Sequence, residues 1–152
     1  MKRLISKAVV FAMVLGLGLT TAQGAVIVKK LTGLSISGSS TVICNSQTAL
    51  TATASFDDGS SEVVNASWTS SSTSVATVSG SGVVTGKKGG SVTITASYTA
   101  EGITKTASKG ITVNKTLQSL VISGNLGVLI KGKTTLTATA KYNDGTNGKV
   151  TP

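Results

Sequence analysis

The feature that most constrains this chain is a strict alternation of apolar residues with threonine or serine. The stretches 50–56 and 92–98 place an aliphatic or aromatic residue at every second position and Thr or Ser between them. Successive side chains of a β-strand point to opposite faces, so each stretch can bury one face and expose the other. The pattern therefore predicts half-buried antiparallel strands.

Short clusters of Gly, Ser, Asn and Asp separate these stretches, as at Asp57–Ser60, Ser79–Gly82 and Lys88–Gly90. Such residues tolerate positive φ or bond their own backbone, which is typical of tight turns. No segment beyond residue 24 has a helical period over a useful length. Many short strands with regularly spaced turns predict an all-β sandwich or barrel.

The chain also contains an internal repeat, because Leu120–Gly124 has the pattern of Leu34–Gly38, 86 residues earlier. The register holds without a gap from there. The matched positions are Val42 with Val128, Leu50–Ala54 with Leu136–Ala140, Phe56 with Tyr142, and Asp58–Gly59 with Asp144–Gly145. A period of this length indicates tandem domains and not a solenoid.

The first 24 residues have the layout of a secretory signal peptide. Lys2, Arg3 and Lys7 form a basic start, an apolar run extends from Ala8 to Leu19, and small residues precede a cleavage site after Gly24. The run is shorter than the roughly 20 residues that a spanning helix needs. We expect an exported protein, extracellular or at the cell surface, with the periplasm and an N-terminal anchor helix as alternatives.

The formal net charge of +9 raises the question of polyanion binding. Nucleic-acid interfaces usually combine clustered Lys and Arg with stacking aromatics, but the only Arg is Arg3 and aromatics make up 3% of the chain. No nucleic-acid partner is expected. The lysines Lys87, Lys88, Lys131 and Lys133 are candidates for binding an anionic cell-surface polymer, with solvated turn charges as the alternative.

Side chains that carry catalysis are scarce. The chain has no His, which excludes Ser–His and Cys–His nucleophile pairs and most transition-metal sites. Ser108 and Lys109 are neighbours, but adjacent strand residues point to opposite faces. We predict no enzyme activity, and we assign no catalytic, cofactor-binding or metal-binding residue.

Two loops resemble ligand sites only superficially. Asp57, Asp58 and Glu62 lie near one turn, and Asp144 lies in its repeat, but they lack the spacing of a calcium loop and Asp-Gly is common in β-turns. The sequence Gly80-Ser81-Gly82 leads into an apparent strand, whereas phosphate loops lead into a helix N-terminus. Both are predicted to be turns.

Trp68 and Cys44 are predicted to lie in the core. Trp68 is the single Trp and lies where a sandwich places a core aromatic, with a ligand-stacking role as the alternative. Cys44 aligns with Ile130, so a buried thiol is expected, with an intermolecular disulfide as the alternative. A single Cys permits no internal disulfide, so the core must stabilise the fold.

In order and spacing, a set of short motifs resembles the bacterial Ig-like domain, group 2, found in surface proteins such as the intimin and invasin adhesins. The motifs are Leu34–Ile36, Leu50–Ala54, Asp58–Ser60, Trp68–Ser71, Val75–Val78, Gly82–Gly86, Gly90–Ala96 and Ile111–Val113. The resemblance implies an Ig-like, Greek-key β-sandwich of two antiparallel sheets, with no catalytic site and no cofactor.

The predicted organisation has four parts. They are a signal peptide at 1–24, a linker or edge strand at 25–33, a complete Ig-like domain at 34–114, and the N-terminal part of a second copy at 115–152. The second copy stops before the counterpart of Trp68. We expect its strands to be disordered in an isolated monomer or ordered by strand donation, with Ala25–Val28 as a candidate donor and a linker role as the alternative.

The resemblance implies a structural or interaction module, as in adhesin stalks, whose partners are other protein domains. A binding module for polysaccharide or an anionic surface polymer is the first alternative. Self-association through the incomplete second copy, giving a filament assembled by strand donation, is the second.

Overall fold

A computed structural model describes residues 28–124 and 132–150, and within these ranges all regular structure is β-strand. The signal-peptide segment, most of the candidate donor and the predicted strand Val128–Ile130 lie outside them. The strands are β1 Leu31–Gly38, β2 Thr41–Ile43, β3 Gln47–Phe56, β4 Ser61–Val64, β5 Ser67–Ser70, β6 Ala76–Val78, β7 Val83–Gly86, β8 Gly90–Ala100, β9 Ile103–Asn114, β10 Leu117–Gly124, β11 Leu136–Tyr142 and β12 Asn147–Val150.

The strands β1 to β9 form an N-terminal unit of two sheets. One sheet has the order β1-β3-β7-β6 with β4 also paired to β3, and the other has the order β2-β9-β8-β5. The unit begins at Leu31, inside the 25–33 segment, and β1 is an edge strand of its sheet. The all-β prediction is confirmed.

One strand pair departs from the predicted antiparallel sheets, because β2 pairs with β9 in parallel, with Thr41 opposite Thr112. The chain turns after Gly38, which has a φ of 119°, and β2 leaves the sheet of β1 to join the other sheet. A three-residue strand that changes sheets has no hydrophobic pattern of its own to reveal its partner.

The alternating residues pack between the two sheets. Leu50 and Val84 come from one sheet, Ile94 and Ile111 from the other, and all four belong to one buried cluster. Burial at roughly 25 cal/mol per Å² of apolar surface makes this cluster the main stabilising element of the unit. The intervening Thr and Ser residues of β8 are exposed or half-buried.

The turn before β7 requires glycine at one position. Gly82 has a φ of 81°, and a Cβ there would lie 2.5 Å from the carbonyl oxygen of Leu50. The peptide N–H of Leu50 in turn donates to the carbonyl oxygen of Gly82. Gly82 therefore serves a close approach of the backbone, as the turn prediction requires.

The strands β10, β11 and β12 form a separate C-terminal sheet in that order. Its pairing repeats that of the N-terminal unit at the 86-residue offset, since Leu120 faces Ala140 as Leu34 faces Ala54. Burial differs sharply. Leu31 is 1% exposed and its counterpart Leu117 is 59% exposed, because the C-terminal sheet has no facing sheet among the described residues.

Candidate functional site

The turn between β3 and β4, residues 57–60, is built around two carboxylates and is called the first turn. The backbone N–H of Lys30 donates to Oδ1 of Asp57 at 2.9 Å, and the N–H of Asp57 donates to the carbonyl oxygen of Lys30. Both the N–H and the hydroxyl of Ser60 donate to Oδ1 of Asp58. Lys29 forms an ion pair with Oδ2 of Asp58 at 3.2 Å.

The turn between β11 and β12, residues 143–146, repeats this arrangement and is called the second turn. The N–H of Thr116 donates to Oδ1 of Asn143 at 2.8 Å, and Thr146 donates twice to Oδ1 of Asp144. Lys115 takes the place of Lys29, and its ammonium lies 4.0 Å from the centre of the Tyr142 ring. The two turns therefore have the same internal construction.

These hydrogen bonds lower the pKa of both turn carboxylates. The Thr146 hydroxyl holds the pKa of Asp144 at about 2, with further support from the N–H groups of Thr146 and Gly89 and the charge of Lys115. The Ser60 hydroxyl and N–H, with Lys29, hold the pKa of Asp58 at about 2. Both residues are therefore ionised at neutral pH and accept hydrogen bonds.

The second turn makes contacts that the first turn does not, because it lies against the end of the N-terminal unit. The side-chain Nδ2 of Asn143 donates to the backbone carbonyl oxygen of Cys44 at 3.1 Å. The backbone carbonyl oxygen of Asn143 accepts from Nδ2 of Asn45 at 2.9 Å. The N–H of Gly89 donates to Oδ2 of Asp144 at 3.1 Å. We call this set of three hydrogen bonds the joint.

The N-terminal side of the joint is fixed by the ends of three strands. The N–H of Cys44 donates to the carbonyl oxygen of Asn114, and the N–H of Asn45 donates to that of Gly86. Asn45 has a φ of 65°, a left-handed conformation that Asn tolerates better than most residues. The carbonyl and amide groups that meet the second turn are therefore held by the sheets themselves.

Gly89 allows the second turn to approach closely. A Cβ at this position would lie 3.3 Å from both Oδ2 of Asp144 and Cδ of Lys115. Because glycine leaves this space open, its N–H can reach the carboxylate directly. Gly89 and the second turn were predicted only as turn segments, and the structure brings them into contact.

The other predicted site residues lie elsewhere. Cys44 is free and buried, 2% exposed, and its thiol donates to the carbonyl oxygen of Lys87. Trp68 is half-buried and packs against two buried clusters of the core. Glu62 lies exposed on β4, and residues 28–124 and 132–150 contain no group of three His, Cys, Asp or Glu side chains placed to hold a metal ion.

The candidate lysines that the structure describes lie in two separate segments of the chain. Lys87 and Lys88 are exposed in the turn between β7 and β8, and Lys133 is exposed before β11, while Lys131 lies outside the described residues. Lys87 and Lys88 directly precede Gly89 and therefore lie beside the joint. No helix in the described part of the chain is long and apolar enough to cross a membrane.

The outward face of the β8–β9 hairpin carries hydroxyl groups in cross-strand pairs. Thr95 and Ser108 lie with their hydroxyl oxygens 2.9 Å apart, and those of Thr99 and Thr104 lie 2.8 Å apart. Nine of the ten outward positions of this face carry a hydroxyl, the tenth is Gly110, and none is charged; we call this face the hydroxyl ladder. The ten positions are Ser91, Thr93, Thr95, Ser97 and Thr99 on β8 and Thr104, Thr106, Ser108, Gly110 and Thr112 on β9.

Sequence reasoning did not find the joint. Asn45 and Asn143 are separated by 98 residues and belong to no common motif. One signal was present: the two turns match in construction, yet the first opens with Asp57 and the second with Asn143. A carboxylate only accepts hydrogen bonds, whereas an asparagine amide also donates. This difference at an otherwise repeated position indicates a different neighbour.

Comparison with known proteins is consistent with this architecture. Residues 30–109 match the sequence model of the bacterial Ig-like domain, group 2. The chain is also 38% identical over 120 residues to Ice-binding protein 1 of Shewanella frigidimarina (strain NCIMB 400), a match that covers 76% of this chain. The matched region is 13% of that protein's length, so the chain corresponds to a small part of this relative.

Proposed function

This chain belongs to the bacterial Ig-like domain family, group 2, and from that premise we propose that it is a non-enzymatic, exported structural module whose units stack end to end. In this role, the stack sets the distance and orientation between other parts of an extracellular protein. The family is non-enzymatic, and its domains occur in extracellular and surface proteins.

The observation that carries the proposal is the joint. A flexible linker would leave the two units free to rotate, whereas three hydrogen bonds between side chains and fixed backbone groups favour one orientation. Net hydrogen-bond contributions of about 0.5–1.5 kcal/mol each are enough together to favour a docked state. Stacking of this kind suits a spacer.

The relative supports a role as one part of a larger assembly. Ice-binding protein 1 is named for binding ice, and the region similar to this chain is a small fraction of it. We place this chain in the corresponding role, as a stacked module that holds a binding region of another kind at a distance. Ligand binding then belongs to that other region.

Residual dipolar couplings measured on the whole protein test the stacking. If the units are docked, one alignment tensor fits the amides of β1–β9 and those of β10–β12 together. The substitution Asn45→Gly removes the amide that donates across the joint and still accommodates a φ of 65°. This variant should require two separate tensors.

The matched control is Asn65→Gly, since Asn65 is exposed in the loop between β4 and β5 and takes no part in the joint. It should retain the single tensor. Two independent tensors in the unsubstituted protein would contradict the proposal, as would a single tensor that survives Asn45→Gly unchanged.

A second candidate function is binding to an extended polymer surface, and the hydroxyl ladder is the observation that favours it. Paired hydroxyls with no charge between them suit a neutral lattice of hydroxyl groups, such as a polysaccharide. Lys87 and Lys88 instead suit an anionic polymer.

Retention on purified polymers distinguishes binding through the hydroxyl ladder from binding through the lysines. Thr95→Val should release the protein from a neutral polymer at any salt concentration. Lysine binding should weaken as salt screens it, and should be lost in Lys87→Ala.

Self-association is a third candidate, favoured by the exposed apolar side chains of the C-terminal sheet. Leu117, Leu120, Ile122 and Leu136 are each half or more exposed, on the side that a second sheet covers in the N-terminal unit. Strand or sheet donation from another molecule would cover them. Val28 of the candidate donor segment is exposed and available.

A further inference from the structure

The residue that opens each turn differs in hydrogen-bonding character between the two units. Asn143 uses both halves of its amide, since Oδ1 accepts from the N–H of Thr116 and Nδ2 donates to the carbonyl oxygen of Cys44. Only this amide orientation fits, because one neighbour is a donor and the other an acceptor. Asn143 therefore connects its own turn to the unit before it.

Asp57 occupies the equivalent position and makes only the hydrogen bond to the segment that precedes its own unit's first strand. Its Oδ1 accepts from the N–H of Lys30, and within the described residues its other oxygen has no donor. In a stack built like the joint, that second oxygen would face a backbone carbonyl. A carboxylate cannot donate, so two acceptors would be pressed together with no hydrogen between them.

We propose that this single position specifies docking: Asn143 makes the C-terminal sheet a docking unit, and Asp57 prevents the N-terminal unit from docking in the same way on another domain of this kind. The other turn residues match: Lys29 and Lys115 donate to the hydroxyls of Ser60 and Thr146, whose N–H groups donate to Asp58 and Asp144. Only the second carboxylate oxygen differs in its partner, since Oδ2 of Asp58 pairs with Lys29 and Oδ2 of Asp144 accepts from Gly89. The position of Asp57 and Asn143 is the one at which the two turns differ in donor character, and it therefore determines which unit can dock on which.

The inference rests on the proposed stacking and adds which residue controls it and which surface stays open. The first turn presents a free carboxylate oxygen at the outer end of the N-terminal unit. A partner that fits it offers N–H or O–H donors and not the carbonyl of a sister domain. The N-terminal unit then ends a stack of such domains at that side.

Exchange of the Gly89 amide hydrogen in the whole protein tests the proposal, since this N–H donates across the joint. Asn143→Asp should speed its exchange by at least about tenfold at neutral pH, the effect of losing one hydrogen bond and facing two acceptors. Core amides such as that of Ile94 should be unchanged, which shows that the N-terminal unit stays folded. The reverse change, Asp57→Asn, is the matched control and should leave Gly89 unaffected.

Acid provides a rescue that a merely structural defect would not show. As the pH falls below the usual aspartate pKa of about 3.9, the introduced carboxyl gains a proton and can donate to the carbonyl of Cys44 as the amide does. Asp144 keeps its charge at pH 3.5 because its pKa is about 2. We therefore expect Gly89 exchange in Asn143→Asp to slow again at pH 3.5. The rates are corrected for the intrinsic effect of pH and compared with those of the unsubstituted protein.

The outcomes separate the two proposals. If Gly89 exchanges rapidly in the unsubstituted protein, the stacking itself is wrong. If Gly89 is protected there but Asn143→Asp leaves it protected, or if acid restores no protection in that variant, Asn143 does not specify docking and only this inference is overturned.

Discussion

The backbone N–H of Gly89 lies 3.1 Å from Oδ2 of Asp144, so a turn of the C-terminal sheet accepts a hydrogen bond from the end of the N-terminal unit. The same carboxylate accepts two hydrogen bonds from Thr146 within its own turn. Asp144 thus organises the second turn and connects it to the preceding unit.

Gly89→Ala should weaken the joint without unfolding the N-terminal unit. The new methyl group would lie 3.3 Å from the Asp144 carboxylate and the Lys115 side chain, which must move back by a few tenths of an ångström. We expect a loss of about 1 kcal/mol of docking free energy, comparable to one hydrogen bond. Residual dipolar couplings report it. Gly110→Ala is the control, because a Cβ there meets nothing within 4 Å, and an equal loss in both variants would contradict the account.

The hydrogen bond that Asp144 accepts across the joint should be weakened only in strong acid. The pKa of Asp144 is lowered from 3.8 to about 2 in the folded state, first through the Thr146 hydroxyl, so its stabilising contribution is fully present above the unfolded value. It disappears as the pH falls through about 2. The Gly89 amide chemical shift, followed against pH, should therefore change below about pH 3.

Removing the Thr146 hydroxyl should move that transition to higher pH. Thr146→Val deletes the donor with the largest effect on the pKa of Asp144 and preserves the shape of the side chain. The equivalent change in the first turn, Ser60→Ala, should leave the Gly89 titration where it is. A transition near pH 4 in the unsubstituted protein would be inconsistent with the geometry of the turn.

Cys44 should resist thiol reagents until the protein unfolds. It is 2% exposed and its thiol donates to the carbonyl oxygen of Lys87 beneath the joint. An exposed cysteine introduced by Ser40→Cys provides the comparison and should react at once under native conditions. If the unsubstituted protein reacts as quickly, Cys44 is accessible and the intermolecular disulfide becomes the better explanation.

The sequence predicted the strands with a clear pattern of their own and missed the features made by distant residues. The alternation over 50–56 and 92–98 lies within β3 and β8 as observed. The parallel pairing of β2 was not predictable, because three residues carry no period. Trp68 was expected in the core, and it packs against two buried clusters but is itself only half-buried.

The joint was missed for a different reason. Its partners come from turns whose residues are all ordinary turn formers, and turn chemistry alone does not distinguish a solvated turn from a docked one. The repeat predicted that the second turn would copy the first. Only the packing of one unit against the other reveals that Asn143 has a second partner.

The exposed apolar face of the C-terminal sheet should make its protection depend on concentration. Covering Leu120 and Ile122 in an assembly recovers roughly 25 cal/mol per Å², so amide protection of residues 136–140 should rise as the protein is concentrated. Leu120→Ser should abolish the rise. Val63→Ser, at an even more exposed apolar residue on β4, should not. Protection of 136–140 that stays the same as the protein is concentrated would argue against assembly through this face.

The most direct test of the stacked joint is the scalar coupling across the hydrogen bond from the Gly89 amide nitrogen to the Asp144 carboxyl carbon. The Thr146 amide donates to the same carboxylate at 3.0 Å and serves as the internal reference. The account predicts that both couplings are observed in dilute, unsubstituted protein. A Thr146 coupling without a Gly89 coupling would show that the second turn is formed but not docked, and would contradict the account.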